Sequence, residues 1–139
     1  MVRYAVLLRD SLSAKVWSPQ SERLQEQNQE RIFAILQTAA QQKNKAAIAE
    51  LGYMYENGYG TPMSTAVAAK LYKSVTRCGI PMADYQLGMI YMNGTAGTSP
   101  IQMNMELAKE CFDYASSQGY ALADFQLGRL YARGVVKVD

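Results

Sequence analysis

The chain has 139 residues, nearly half of them apolar and 19% charged, a globular composition with room for one domain around one core. Its formal charge of +2 and its lack of any Lys/Arg cluster exclude nucleic acid and anionic membrane surfaces as principal partners. Histidine is absent, which removes the usual general base, the neutral-pH switch and the commonest metal ligand.

The chain opens on Met1-Val-Arg-Tyr-Ala-Val-Leu-Leu-Arg-Asp10, whose apolar stretch runs only from Tyr4 to Leu8. Arg9 and Asp10 end it and no small-residue cleavage site follows, so it makes a poor signal peptide. The expected location is the cytoplasm, or an exported compartment if a leader has already been removed. No apolar run approaches the ~20 residues of a membrane span. Tyr4, Val6, Leu7, Leu8 and Trp17 need burial. They form a partial first helix of a degraded repeat or fold into a binding groove, and the first arrangement is preferred.

A helix is expected from about Glu22 to Gln42, with Ile32, Phe33, Leu36, Ala39 and Ala40 on its apolar side. Glu22, Glu26 and Glu30 recur every fourth residue beside Arg23 and Arg31, the pattern of a solvated face, with an acidic or dimer contact as the alternative.

Three segments then align without gaps: Ala47-Ile-Ala-Glu-Leu-Gly-Tyr-Met-Tyr-Glu-Asn-Gly58, Ala83-Asp-Tyr-Gln-Leu-Gly-Met-Ile-Tyr-Met-Asn-Gly94 and Ala123-Asp-Phe-Gln-Leu-Gly-Arg-Leu-Tyr-Ala-Arg-Gly134. Each reads Ala-x-x-x-Leu-Gly-x-x-Tyr-x-x-Gly, with Leu-to-Leu spacings of 36 and 40 residues, the signature of a repeat architecture. Ala, Leu and Tyr at steps of four share one helix face. Glycine inside a helix costs roughly 1 kcal/mol relative to Ala. Its recurrence after Leu51, Leu87 and Leu127 predicts a neighbouring helix too close to admit a Cβ. The last glycine of each segment is expected to end its helix in a left-handed cap.

Second helices lie between the segments. One runs from Ser64 to Arg77, with Ser64 as cap and Ala68, Leu71, Tyr72 and Val75 at helical spacing. Another runs from about Met103 to Ser117, with Leu107, Ala108, Cys111, Phe112 and Ala115. The loop that begins Gly94 to Pro100 is longer than its counterpart that begins Gly58 to Pro62, by four residues when each is counted on to Asn104 and Ser64, so the extra length of the second repeat falls there.

These helix pairs resemble the Sel1-like repeats, relatives of the tetratricopeptide repeats, from Ile32 to Gly134. Gly79 to Gly94 and Gly119 to Gly134 are similar to the first half of the family pattern. Gly58-Tyr-Gly60-Thr with Ala68, Leu71, Tyr72 and Gly79 is similar to the second. The chain departs from the pattern in three ways: the family's Trp-Tyr pair is Leu71-Tyr72 and then Cys111-Phe112, the loop Asp is missing near Met63, and residues 1 to 20 match nothing. Some family members carry a disulfide in each repeat. Cys78 and Cys111 sit at unequal positions in different second helices, so two free, partly buried thiols are expected instead.

The resemblance implies an all-α, right-handed α/α solenoid. It would form a single domain over 1–139: a degenerate repeat or cap at 1–42, repeats at 43–79 and 80–119, and a partial repeat at 120–139. The third repeat lacks a second helix within this sequence, and solenoid ends need capping.

By the same resemblance, first helices line the inner face. Ala46, Ala49, Tyr53 and Glu56 would point inward in the first repeat, Met82, Tyr85, Met89 and Met92 in the second, and Leu122, Phe125, Arg129 and Ala132 in the third. Tyr85 and Phe125 stand where the family often keeps Tyr, which favours packing. Met82, Met89 and Met92 belong to the core or form a soft apolar trough suited to a partner helix or peptide. Tyr53 and Arg129 would flank that trough as anchors.

No catalytic, metal-binding or phosphate-binding motif is present in the sequence, so no enzyme activity and no cofactor are expected. Asn93-Gly-Thr95 matches a glycosylation sequon, a short pattern common by chance. The function expected is recognition of a protein partner, in its specific form by a bacterial adaptor or immunity protein that holds a secreted effector. The alternative is a homo-oligomeric scaffold joined through the incomplete C-terminal repeat.

Overall fold

The computed structural model describes residues 19–134. Six helices are present among them: α1 (Pro19–Gln41), α2 (Lys45–Asn57), α3 (Thr65–Ser74), α4 (Pro81–Asn93), α5 (Met105–Ser117) and α6 (Ala121–Ala132). The described residues contain no strand. The expectations for Tyr4 to Trp17 and for the tail after Gly134 lie outside the described residues.

Helix starts are set by short polar side chains. Asn44 accepts from the Ala47 N–H at 3.1 Å, Ser64 from Val67 at 3.3 Å and Asn104 from Leu107 at 3.0 Å. Each fills one of the donors that a helix N-terminus leaves unpaired. The helix expected from Met103 therefore begins at Met105. Pro81 opens α4, where its fixed φ and missing N–H cost nothing.

Helix ends show a second regularity. Gly79 and Gly119 both have φ of 80°, and Lys43 takes the same place after α1 with φ of 63°. Gly58 closes α2 in the left-handed region (φ 69°, ψ 36°), as expected. Gly94 does not close α4 in the same way. Its ψ is 177°, although its N–H still reaches the Ile90 carbonyl at 2.7 Å. There the chain must swing outward into the inserted loop. A Cβ on Gly94 would lie 3.2 Å from both the Ile101 oxygen and the Met103 nitrogen.

The chain divides between Leu71 and Tyr72 into two compact units. In the first, α1 packs on α2 through Ile32, Leu36 and Ala39 against Ala47, Leu51 and Met54. Phe33 meets Tyr55 edge-on at 5.4 Å. In the second, α5 is packed against both α4 and α6. Its Ala108, Phe112 and Ala115 join Tyr85, Ala123, Leu127 and Leu130 in one core. Gly88 shows why a side chain is excluded at its register: a Cβ there would lie 2.7 Å from the Phe112 ring.

The turn from first to second helix is closed by the same bond in both units. The Ser64 N–H donates to the Tyr55 carbonyl at 2.8 Å, and the Asn104 N–H donates to the Tyr91 carbonyl at 2.8 Å. The four additional residues of the second turn bulge outward. Their base is pinned where Thr95 N–H meets the Ile101 carbonyl at 2.9 Å and the Thr95 hydroxyl accepts from Ile101 N–H at 2.8 Å.

Candidate protein-binding face

In the first unit, Tyr53 and Glu56 are half-buried on α2, with the Tyr53 ring 6.2 Å from that of Tyr59. Ala46 is exposed, but Ala49 is fully buried. The inward position expected for Ala49 is therefore core and offers no surface.

In the second unit, Met82, Met89 and Met92 are half-buried along α4. Met89 and Met92 rest on the core built around Tyr85 and Phe112. They are neither wholly core nor wholly surface: their flexible thioethers cover apolar side chains and leave part of themselves exposed. Tyr85 is only 9% exposed. Its ring lies 5.7 Å from Phe112 and 5.2 Å from Tyr120, and its hydroxyl accepts from Gln126 Nε2 at 3.4 Å. It supports the methionines from below and is not open to a partner.

The matching residues on α6 are placed differently. Leu122 is 54% exposed and Phe125, at the register of Tyr85, is 63% exposed. The half-buried Arg129 holds its guanidinium 5.8 Å from the Phe125 ring and donates to Gln126 Oε1 at 3.3 Å. A Cβ on Gly128, at the register of Gly88, would meet nothing within 4 Å. The close packing expected at all three repeated glycines thus occurs at Gly88 and not at Gly128, because no helix among the described residues covers α6 as α5 covers α4.

Sequence reasoning missed one polar pair that occurs twice. Asp84 is 1% exposed and accepts from the Thr76 hydroxyl at 2.5 Å and from the Arg77 N–H at 3.3 Å. Asp124 likewise accepts from the Ser116 hydroxyl. Each acceptor sits on a first helix and holds the end of the second helix before it. At Asp84 this draws Arg77 into positive φ, 58°, and α3 ends at Ser74 rather than at Arg77. The signal lay in the sequence as Ala-Asp-x-Gln-Leu-Gly, preceded eight residues earlier by Thr76 or Ser116.

A cavity of about 350 Å³ opens beside Asp84, lined also by Lys73, Arg77, Tyr91, Glu110 and Cys111. Burial, with Asp84 and Glu110 nearby, pushes the Cys111 thiol up to about 12, so it stays protonated and poorly nucleophilic at neutral pH. Both cysteines are free, and Cys78 is exposed rather than partly buried. No group of three or more Cys, Asp or Glu among the described residues is placed to hold a metal ion. Among the described residues, no helix is long and apolar enough to cross a membrane.

The sequence pattern of the Sel1 repeat matches residues 45–77, 81–120 and 121–139. The chain belongs to the Sel1 repeat family. Its fold is the all-α solenoid of Sel1 repeats. The crystal structure of a Sel1 repeat protein from Oxalobacter formigenes is similar over 96% of this chain and 47% of that one, with a TM-score of 0.71 and 24% identity. So is c5321, a protective antigen present in uropathogenic Escherichia coli strains that displays the same repeat fold. That match covers 75% of this chain and 22% of the other, with a TM-score of 0.68 and 27% identity. This chain therefore spans less than half the length of either. No curated protein is a significant sequence match. Sel1 repeats generally act as non-catalytic scaffolds for protein–protein interaction.

Proposed function

We propose that this Sel1 repeat chain binds a protein partner on the first-helix face of its second repeat, with Met82, Met89 and Met92 as the contact row. The observation that carries this reading is the state of those three side chains: half-buried, on one face of α4, with Met89 and Met92 seated on a rigid aromatic core. A pliable apolar surface on a fixed base suits an incoming helix or extended segment. In its specific form, the chain is a bacterial adaptor or immunity protein that holds a secreted effector. The bacterial origin of both similar structures supports the first word of that description.

The test compares tagged wild type with Met82→Glu and Met89→Glu in capture from a bacterial lysate, after circular dichroism has shown both variants folded. A carboxylate buried against an apolar partner without a counter-ion costs several kcal/mol. A true partner is expected to fall by more than about tenfold in recovery. Equal recovery by folded variants would place binding elsewhere.

A further inference from the structure

The eight methionines of the chain differ in what surrounds them. Met54 is fully buried, while Met63 and Met103, in the connections before α3 and α5, are 70% and 63% exposed. Met82, Met89 and Met92 stand between these extremes. They are half-buried and share one face of α4, at steps of three and four residues with Tyr85 among them. The same four positions of α2 carry Ala46, Ala49, Tyr53 and Glu56, and those of α6 carry Leu122, Phe125, Arg129 and Ala132. The one readily oxidised aliphatic side chain is therefore gathered on α4. Leucine would supply similar apolar area, but a thioether has a chemistry that leucine lacks.

A thioether within reach of solvent reacts with peroxides. One peroxide oxygen is transferred to the sulfur, the O–O bond breaks, and the other oxygen leaves with both protons as water. The sulfide becomes a polar sulfoxide. Two thiols reverse the step through methionine sulfoxide reductases, giving the sulfide, a disulfide and water. Met89 and Met92 rest on the core around Tyr85 and Phe112, so a sulfoxide on either is held against apolar groups, which is unfavourable. The Cys111 thiol, pushed up to about 12 by burial with Asp84 and Glu110 nearby, stays protonated and competes poorly for oxidant. Cys78 is exposed and does compete.

We propose that the methionine row of α4 is a redox-sensitive surface: oxidation of Met82, Met89 and Met92 to sulfoxides by hydrogen peroxide makes this apolar face polar, loosens α4 and releases what the face holds. The release step rests on the reading of α4 as the binding face; the oxidation and its effect on stability do not.

The test uses the full chain with Cys78→Ser, with and without Met82→Leu, Met89→Leu and Met92→Leu together, each shown folded by circular dichroism. Both proteins are treated with hydrogen peroxide, sulfoxides are mapped by peptide mass spectrometry, and thermal unfolding is followed. In the parent, Met63 and Met103 should convert first, then the α4 row, with Met54 spared. Its Tm should fall by at least about 4 °C and return on treatment with the two methionine sulfoxide reductases and dithiothreitol. The leucine variant, close to volume-conserving, should hold its Tm within about 1 °C while Met63 and Met103 still oxidise. A row that stays reduced after Met63 and Met103 have fully converted would overturn the proposal. So would sulfoxides on the row with no change in Tm, or an equal fall in the leucine variant. Should that variant not fold, the mass map and the reductase recovery of the parent decide. In the lysate capture described above, the oxidised parent should recover at least about tenfold less partner, and the oxidised leucine variant as much as before. Equal recovery by the oxidised parent would overturn release. Folded Met82→Glu and Met89→Glu variants that capture normally would overturn the binding reading and the release step with it, while mass map and Tm judge the oxidation separately.

Discussion

Gly88 and Gly128 follow the repeated leucine at one register, yet they ask opposite things of a substitution. At Gly88 a Cβ would meet Cε1 and Cδ1 of Phe112 at 2.7 and 2.9 Å, and that ring is fully buried and has nowhere to go. Overpacking of this kind costs about 1–3 kcal/mol, set against the roughly 1 kcal/mol of helix propensity that alanine returns. At Gly128 only the propensity gain remains. Gly88→Ala is expected to lower the urea midpoint and Gly128→Ala to raise stability by about 0.5–1 kcal/mol, with unchanged m-values marking both as changes of stability alone. A single repeat pattern revealed the glycines but could not separate them. The difference depends on whether a described helix packs over the glycine, and that is a property of neighbours in space. Tyr85 and Phe125 make the same point, since an identical register leaves one ring 9% exposed and the other 63%.

Among the elements, the second helices were legible to within a few residues, and the errors have physical causes. Asn104 caps α5, which delays its start past Met103, and Asp84 captures Thr76 and Arg77, which ends α3 early. The inserted loop was placed correctly by spacing alone. What spacing could not show is that the closing bond, from cap N–H to repeated Tyr carbonyl, survives the insertion at the same 2.8 Å. The four extra residues therefore lie outside the part of the turn that sets the helix–helix geometry. Replacing residues 95–103 by the shorter sequence of residues 59–63 keeps the glycine before the turn and the polar cap after it. Loop-closure entropy changes slowly with length, so the stability of the graft is expected to stay within about 1 kcal/mol of wild type in thermal or urea unfolding. A loss well beyond that would show that Thr95 and Ile101 hold α4 and α5 together rather than merely closing the bulge.

At the scale of the whole molecule, a repeat protein is stabilised by nearest-neighbour packing, so near-identical helices differ in stability according to what covers them. The helices α4 and α6 test this within one unit. Ala83 and Ala123 are both fully buried, and Leu87 and Leu127 are 3% and 9% exposed, so their inner faces are matched. Their other faces are not, because α6 leaves Phe125 and Leu122 largely in water. Burying an aromatic or aliphatic side chain of this size contributes about 1.5–3 kcal/mol, and α6 forgoes most of that at both positions. Local opening of α6 should therefore require several kcal/mol less than opening of α4 or α5, and such differences appear directly in amide hydrogen exchange. The expected order is exchange of α6 amides first and of α4 and α5 amides last, by about two orders of magnitude or more for each ~3 kcal/mol. Gly128→Ala should slow α6 slightly by propensity alone. If α6 instead exchanges together with α4 in the free chain, its open face is not a weak point, and the second unit opens as one cooperative block in which Leu127 and Leu130 alone suffice to hold the last helix.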